Sequence, residues 1–127
     1  MPAAIKWSEM DWEEVNEHIS RKVVMEDRLM MVLYRFDPHQ AWPAEMHEAE
    51  QGGYILQGKI ELSLPAGGKK ILLGPGDGYL IGTKVAHSWE TLEEETVLLD
   101  VFSPPRKELF QKKFAPKATE KSPGEAE

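Results

Sequence analysis

Residues 44–58 read AEMHEAEQGGYILQG, which brings a carboxylate (Glu45), an imidazole (His47) and a side-chain amide (Gln51) into one short segment ahead of an apolar run. A second imidazole, His87, follows in VAHSWE. The 127 residues include no cysteine, so a bound metal would be held by imidazole, carboxylate, amide and water, the donors of Mn, Fe, Ni, Zn or Cu sites. On a strand, Glu45 and His47 would share a face with Cα atoms roughly 6.5 Å apart, close enough to share an ion. Gln51 keeps the parity, but straight strand would carry it about 13 Å beyond His47. The chain must therefore turn or bulge between them if both are to reach one ion. Val85, His87 and Trp89 would share a face, and a strand antiparallel to the first would bring His87 alongside. By spacing alone, the same residues are equally compatible with ordinary polar side chains near a surface.

The elements that would position these donors read as strands. From Arg28 onward, short runs rich in Val, Ile, Leu and Tyr alternate with Gly, Pro and Asp clusters, the spacing of an all-β sandwich or barrel. LMMVLYRF (29–36) is one run, and GYILQGKIELSLP (53–65) is two, divided at Gln57-Gly58. In the second of these, Ile60, Leu62 and Leu64 alternate with Lys59, Glu61 and Ser63, the pattern of a half-buried strand. KKILL (69–73), YLI (79–81), VAHSWE (85–90) and TVLLDVF (96–102) complete the set, with GPGDG (74–78) as a turn. WSEMDWEEV (7–15) is expected to hold one helical turn, with ISRKVV (19–24) extended after it. After Ser103-Pro104-Pro105, RKELFQKKF is expected to form a short helix with Leu109, Phe110 and Phe114 as its apolar stripe. One domain over 1–114 is expected, followed by a polar tail (115–127) too poor in apolar residues to pack.

The stretches Phe36–Gly58 and Gly76–His87 resemble the two halves of the cupin signature. Its frame places His39 at a glycine, Glu45 and His47 at two ligand histidines, Gln51 at an acidic or amide position, Gly58 at a glycine, and His87 at the last ligand histidine. Glu45 and His39 depart from the frame, as do Gly82 and Lys84 where proline and glycine are usual, and Thr91 where asparagine is. The likeness is greatest to small single-domain cupins of the pectin-degradation type, through RKVV, LMMV, HEAEQGGYILQG and LLDVFSPPR. It implies a double-stranded β-helix (jelly-roll) barrel, one divalent transition metal (Mn, Fe, Ni or Zn) on Glu45, His47, Gln51 and His87, and opening of 4,5-unsaturated monouronates to a linear keto form. It also implies active-site roles for Asp100, Phe102 and Arg106, and a homodimer in which the N-terminal segment could supply an exchanged strand.

The residues themselves give Asp100 some independent weight. It lies between Leu98 and Phe102 on one strand face, with Val97, Leu99 and Val101 on the other, so a carboxylate there needs a partner. That partner could be a loop, Arg106 or a metal-linked acid/base role. His18 reads as a surface residue and His39 as a loop residue that could rim the pocket. Trp42 and Trp89 could stack on a sugar ring or simply pack. The formal charge of −7, with no basic cluster, disfavours nucleic acid. No membrane-length apolar run and no signal-peptide core are present, so a cytoplasmic location is expected. Three activities remain open: a metal-dependent isomerase acting on a small acidic sugar, an Fe(II) dioxygenase on Glu45, His47 and His87, and a non-catalytic module binding a small ligand or metal.

Overall fold

The computed structural model describes residues 4–110. Ten strands run in order: β1 Glu13–Asn16, β2 Ile19–Met25, β3 Met30–Phe36, β4 Ala41–Glu45, β5 Glu50–Gln57, β6 Ile60–Leu64, β7 Lys69–Leu73, β8 Gly78–Ile81, β9 His87–Thr91 and β10 Thr96–Ser103. They form a six-stranded sheet, β1-β2-β3-β10-β5-β8, facing a four-stranded sheet, β4-β9-β6-β7. Every pairing is antiparallel. Among the described residues no helix is long and apolar enough to cross a membrane.

Strict alternation explains the core. On β3, Met30, Val32, Tyr34 and Phe36 are buried while Met31, Leu33 and Arg35 are half-buried on the reverse face. On β10 the inward set is Thr96, Leu98, Asp100 and Phe102. From the opposite sheet Trp42, Ile60, Leu62 and Trp89 close the core. The N-terminal strands pair within their own chain, β1 on β2 and β2 on β3.

The sequence reading needs correction at three places. The segment around Glu45 and His47 is not one strand: β4 ends at Glu45, and His47 lies in the connection before β5. Pro43 hides β4 from a propensity reading; it is tolerated because β4 is a sheet edge. β5 begins at Glu50, ahead of the expected glycine, and β9 begins at His87 instead of Val85. The helical turn expected in WSEMDWEEV is the 3-10 turn Trp7–Glu9, and of the expected C-terminal helix the described residues hold one 3-10 turn, Lys107–Phe110. Leu109 is buried as expected, whereas Phe114 and the tail from 115 lie outside the described residues.

Two of the departures from the cupin frame fall on left-handed backbone. Gly58 and Gly76 have φ of 79° and 90°, and His39 and Lys84, standing where glycines are usual, have φ of 58° and 60°. Left-handed backbone costs a side-chain-bearing residue about 1–2 kcal/mol. The fold therefore holds these turns against the local preference of the residues in them.

Candidate metal and acid-base site

Glu45 ends β4 opposite His87, the first residue of β9, so strand pairing alone sets a carboxylate beside an imidazole. The chain then bends at Glu48 and Ala49, the turn that spacing required, and Gln51 returns on β5. His47 sits in this bend, pinned by the Lys84 N–H donating to its carbonyl at 2.8 Å. Its Nδ1 donates to Ala49 O (2.8 Å), and His87 Nδ1 donates to Val85 O (2.9 Å). Because a carbonyl can only accept, both rings carry their proton on Nδ1 and turn the Nε2 lone pair inward, the way a ligand imidazole is held.

The inward atoms lie at metal-sharing distances. Glu45 Oε2 is 3.6 Å from His87 Nε2 and 4.0 Å from His47 Nε2, and Gln51 Oε1 is 3.1 Å from His47 Nε2. Six-coordinate donors about 2.1 Å from an ion stand about 3.0 Å apart when adjacent and about 4.2 Å when opposite. One donor atom from each of Glu45, His47 and His87 fits within 4.8 Å of the others. His87 Nε2 is buried with no hydrogen-bond partner, and the Gln51 oxygen and the His47 lone pair meet as two acceptors with no proton between them. A cation satisfies all of these groups, so the residues fit a divalent metal.

Burial pushes the His47 imidazole below its ordinary pKa. For His87 burial acts in the same direction but the neighbouring Glu45 carboxylate outweighs it, and the pKa is raised. Burial would raise Glu45, yet His87, Arg106 and Trp42 together hold it at about 2.

Asp100 faces the same interior and is 1% exposed. Across the sheet it lies opposite Gly53 on β5, and Gly53 lies opposite Tyr79 on β8. A Cβ at Gly53 would collide with the Tyr79 ring. Without one, the ring crosses over β5 and its hydroxyl donates to Asp100 Oδ1 at 2.6 Å. Burial pushes the Asp100 carboxyl up to about 7 against the opposing pull of the Tyr79 hydroxyl and Gln51 amide. An acid that titrates near neutrality can both give and take a proton.

Arg106, 5% exposed, does not pair with Asp100. Its NH2 donates to Glu45 Oε1 (3.0 Å), its NH1 to Glu45 Oε2 (3.2 Å) and its Nε to Glu108 Oε2 (2.8 Å). Phe102 fills the space between, its ring 5.9 Å from that of His47 and 5.2 Å from the Arg106 guanidinium carbon. Trp42 and Trp89 are buried and stacked on each other at 6.2 Å, so they pack the interior and offer no face to a sugar. Trp42 Nε1 also donates to Glu45 Oε2 at 2.9 Å. His18 is at the surface beside Asp37, as expected. The sequence reading missed Tyr79, Trp42 as a hydrogen-bond donor, and Glu108. Only the glycine pair hinted at the first of these.

Residues 32–102 match the family described as the cupin domain. The pectin degradation protein KdgF of Dickeya dadantii (strain 3937) is 34% identical over 104 residues, covering 80% of this chain and 93% of that protein. The structure of KdgF from Halomonas sp. superposes with a TM-score of 0.79 at 31% identity, covering 87% of this chain and all of that one. The polyketide cyclase RemF from Streptomyces resistomycificus shares the fold, with a TM-score of 0.69 at 22% identity over 82% of this chain and 80% of that one. With a family match over more than half of the chain and a 34% identical relative over 80% of it, on two facing antiparallel sheets, the chain belongs to the cupin family.

Proposed function

We propose that this cupin is a metal-dependent isomerase that opens and ketonises 4,5-unsaturated monouronates. The observation that carries the reading is the placement of Asp100, a buried carboxyl titrating near neutrality, in the interior between the sheets that also receives Glu45, His47, Gln51 and His87. The similarity to two KdgF proteins supports the substrate class. Glu45, His47, His87 and Gln51 would hold a divalent ion, which would supply Lewis acidity toward a substrate oxygen. Asp100 moves the proton between oxygen and carbon, and Tyr79 keeps its carboxyl oriented. Arg106 receives the substrate carboxylate on its Nε side by exchange with Glu108, whose side chain is half-exposed. Phe102 walls the pocket beside His47.

The test is consumption of a 4,5-unsaturated monouronate by metal-loaded protein and by Asp100→Ala. Activity in the parent and its loss in the variant are expected; an untouched substrate refutes the reading. Two histidines and a carboxylate also suit an Fe(II) oxygenase, which oxygen uptake dependent on Fe(II) and an organic substrate would reveal. A metal-free protein after loading would instead favour the non-catalytic module.

The protein is expected to act as a homodimer through the outer face of its six-stranded sheet. One row across that face is Val24, Met31, Val101, Gly52 and Leu80, and the next holds Leu33, Leu99 and Tyr54, with Val97 and Leu56 beyond. Leu80 is 91% exposed, and Tyr54 and Leu56 are each 52% exposed. Five strands by three rows span roughly 500 Å² in projection. Doubled by a twofold axis, this reaches about the 1,000 Å² that a specific interface needs. A second copy suits this face because the chain carries a net −7, and its copies approach best where the surface is apolar.

A further inference from the structure

The residue that departs most from the cupin frame is Glu45, an anion where a neutral imidazole is usual. A carboxylate in that place would change the charge of the donor set by one unit and weaken the electron demand of any ion bound there. Both oxygens of Glu45, however, are held by Arg106, at 3.0 and 3.2 Å, in a bidentate pair whose side chains are 14% and 5% exposed. The remaining donor on Glu45 Oε2 is the Trp42 indole, which brings no charge. Arg106 is itself fixed between Glu45, Glu108 and the Phe102 ring. The guanidinium therefore has no solvent-facing position to which it can withdraw without leaving Glu45 buried and unpaired.

We propose that the Glu45–Arg106 pair replaces a neutral ligand histidine, with Arg106 as the built-in counter-ion that cancels the carboxylate charge and keeps the site's affinity for a divalent cation moderate and the bound ion strongly electrophilic. With His47, His87 and Gln51 neutral, the guanidinium offsets the Glu45 carboxylate, and its second partner, Glu108, is half-exposed and lies on the Nε side, away from Glu45. Glu45 Oε1 faces Arg106 alone, whereas Oε2 faces both His87 and His47 and also accepts from Arg106 and Trp42, so Arg106 touches the same oxygen that an ion would share. Arg106 stays close enough to a bound ion to repel it. Two roles for Arg106 are thereby distinguished. A residue that merely orients Glu45 would strengthen metal binding, and a counter-ion weakens it.

This rests on the metal-binding part of the proposed function and on no particular substrate. The experiment is titration of chelator-stripped protein with Mn²⁺, following the EPR signal of the free aquo ion, so that no catalytic readout enters. Arg106→Gln is expected to bind Mn²⁺ at least tenfold more tightly than the parent, since the removed cation no longer repels the ion, and Arg106→Lys to remain near the parent. Glu45→His is expected to bind more weakly than Glu45→His/Arg106→Gln, a comparison in which no buried carboxylate is left unpaired even if Arg106→Gln alone fails to fold. Equal or weaker binding on removing Arg106, in either background, overturns the proposal. Failure of every variant and of the parent to bind Mn²⁺, Ni²⁺ or Zn²⁺ refutes the metal site itself.

Discussion

Replacing Asp100 by Asn isolates the energetic cost of the site from its chemistry. The amide keeps an oxygen for the Tyr79 hydroxyl, fills the same volume and does not ionise. In the folded protein the carboxyl titrates at about 7, against an ordinary 3.8. At about 1.4 kcal/mol per unit, this gap corresponds to about 4 kcal/mol. The sign follows from proton counting: between these two values the folded chain holds a proton that the unfolded chain has released, so stability falls as pH rises. Below the lower value the burial penalty vanishes, and above the upper it is complete. Urea unfolding of parent and Asp100→Asn in chelator should therefore give similar stabilities near pH 4. The variant should become progressively more stable than the parent, by up to about 4 kcal/mol at pH 8. Glu45, held at about 2 in the folded chain and at its ordinary 4.5 when unfolded, contributes a pH dependence of its own, but the same one to both proteins, so it cancels in the difference. A difference that stays flat from pH 4 to 8 would refute the argument, since Asp100 would then ionise as easily inside the barrel as outside it.

Gly53→Ala places a methyl inside the Tyr79 ring, so it should cost about 1–3 kcal/mol in thermal or urea unfolding; it should also lower kcat by breaking the Tyr79–Asp100 contact. Glu108→Gln should lower KM for an acidic substrate and leave kcat little changed, because a weaker competitor then occupies Arg106 Nε. Lys84→Gly relieves a left-handed residue whose ion pair with Glu48 is solvent-exposed, and should raise stability by about 0.5–1 kcal/mol in a melting experiment. Leu80→Glu should convert a sedimenting dimer to monomer without loss of fold; a parent that already sediments as a monomer at tens of micromolar rejects the sheet-face interface.

What was legible in the sequence follows physical range. Alternation in TVLLDVF placed Asp100 on the face of Leu98 and Phe102, because a strand's period of two is local, but both faces read as apolar and which one turns inward is set by the facing sheet. The signature glycines were legible as turns, and the left-handed backbone at His39 and Lys84 shows that the frame specifies conformation more strictly than residue type. The strand at Ala41–Glu45 was not legible, since Pro43 suits only an edge and edges are set by the other strands. Tyr79 was unreadable for a similar reason. Its role depends on β8, β5 and β10 aligning Tyr79, Gly53 and Asp100 in one row, a property of two registers together. The Arg106–Glu45 pair joins residues 61 positions apart, and no periodicity reports it.

Several of the places where local rules fail fall together, and that coincidence argues for a working site over a retired one. Folding supplies no reason for Asp100 on a strand face otherwise made of Thr96, Leu98 and Phe102, nor for a glycine opposite it that widens the gap. An apolar residue at position 100 would remove the penalty, and a side chain at 53 would stiffen the strand. The same interior leaves His87 Nε2 buried without a hydrogen-bond partner, and places an arginine on a carboxylate that a histidine would render unnecessary. Each feature alone is a tolerable defect. Together they surround one small volume with a proton donor, inward lone pairs and balanced charge, which is the condition for moving protons on a polarised substrate and serves no end in holding two sheets together.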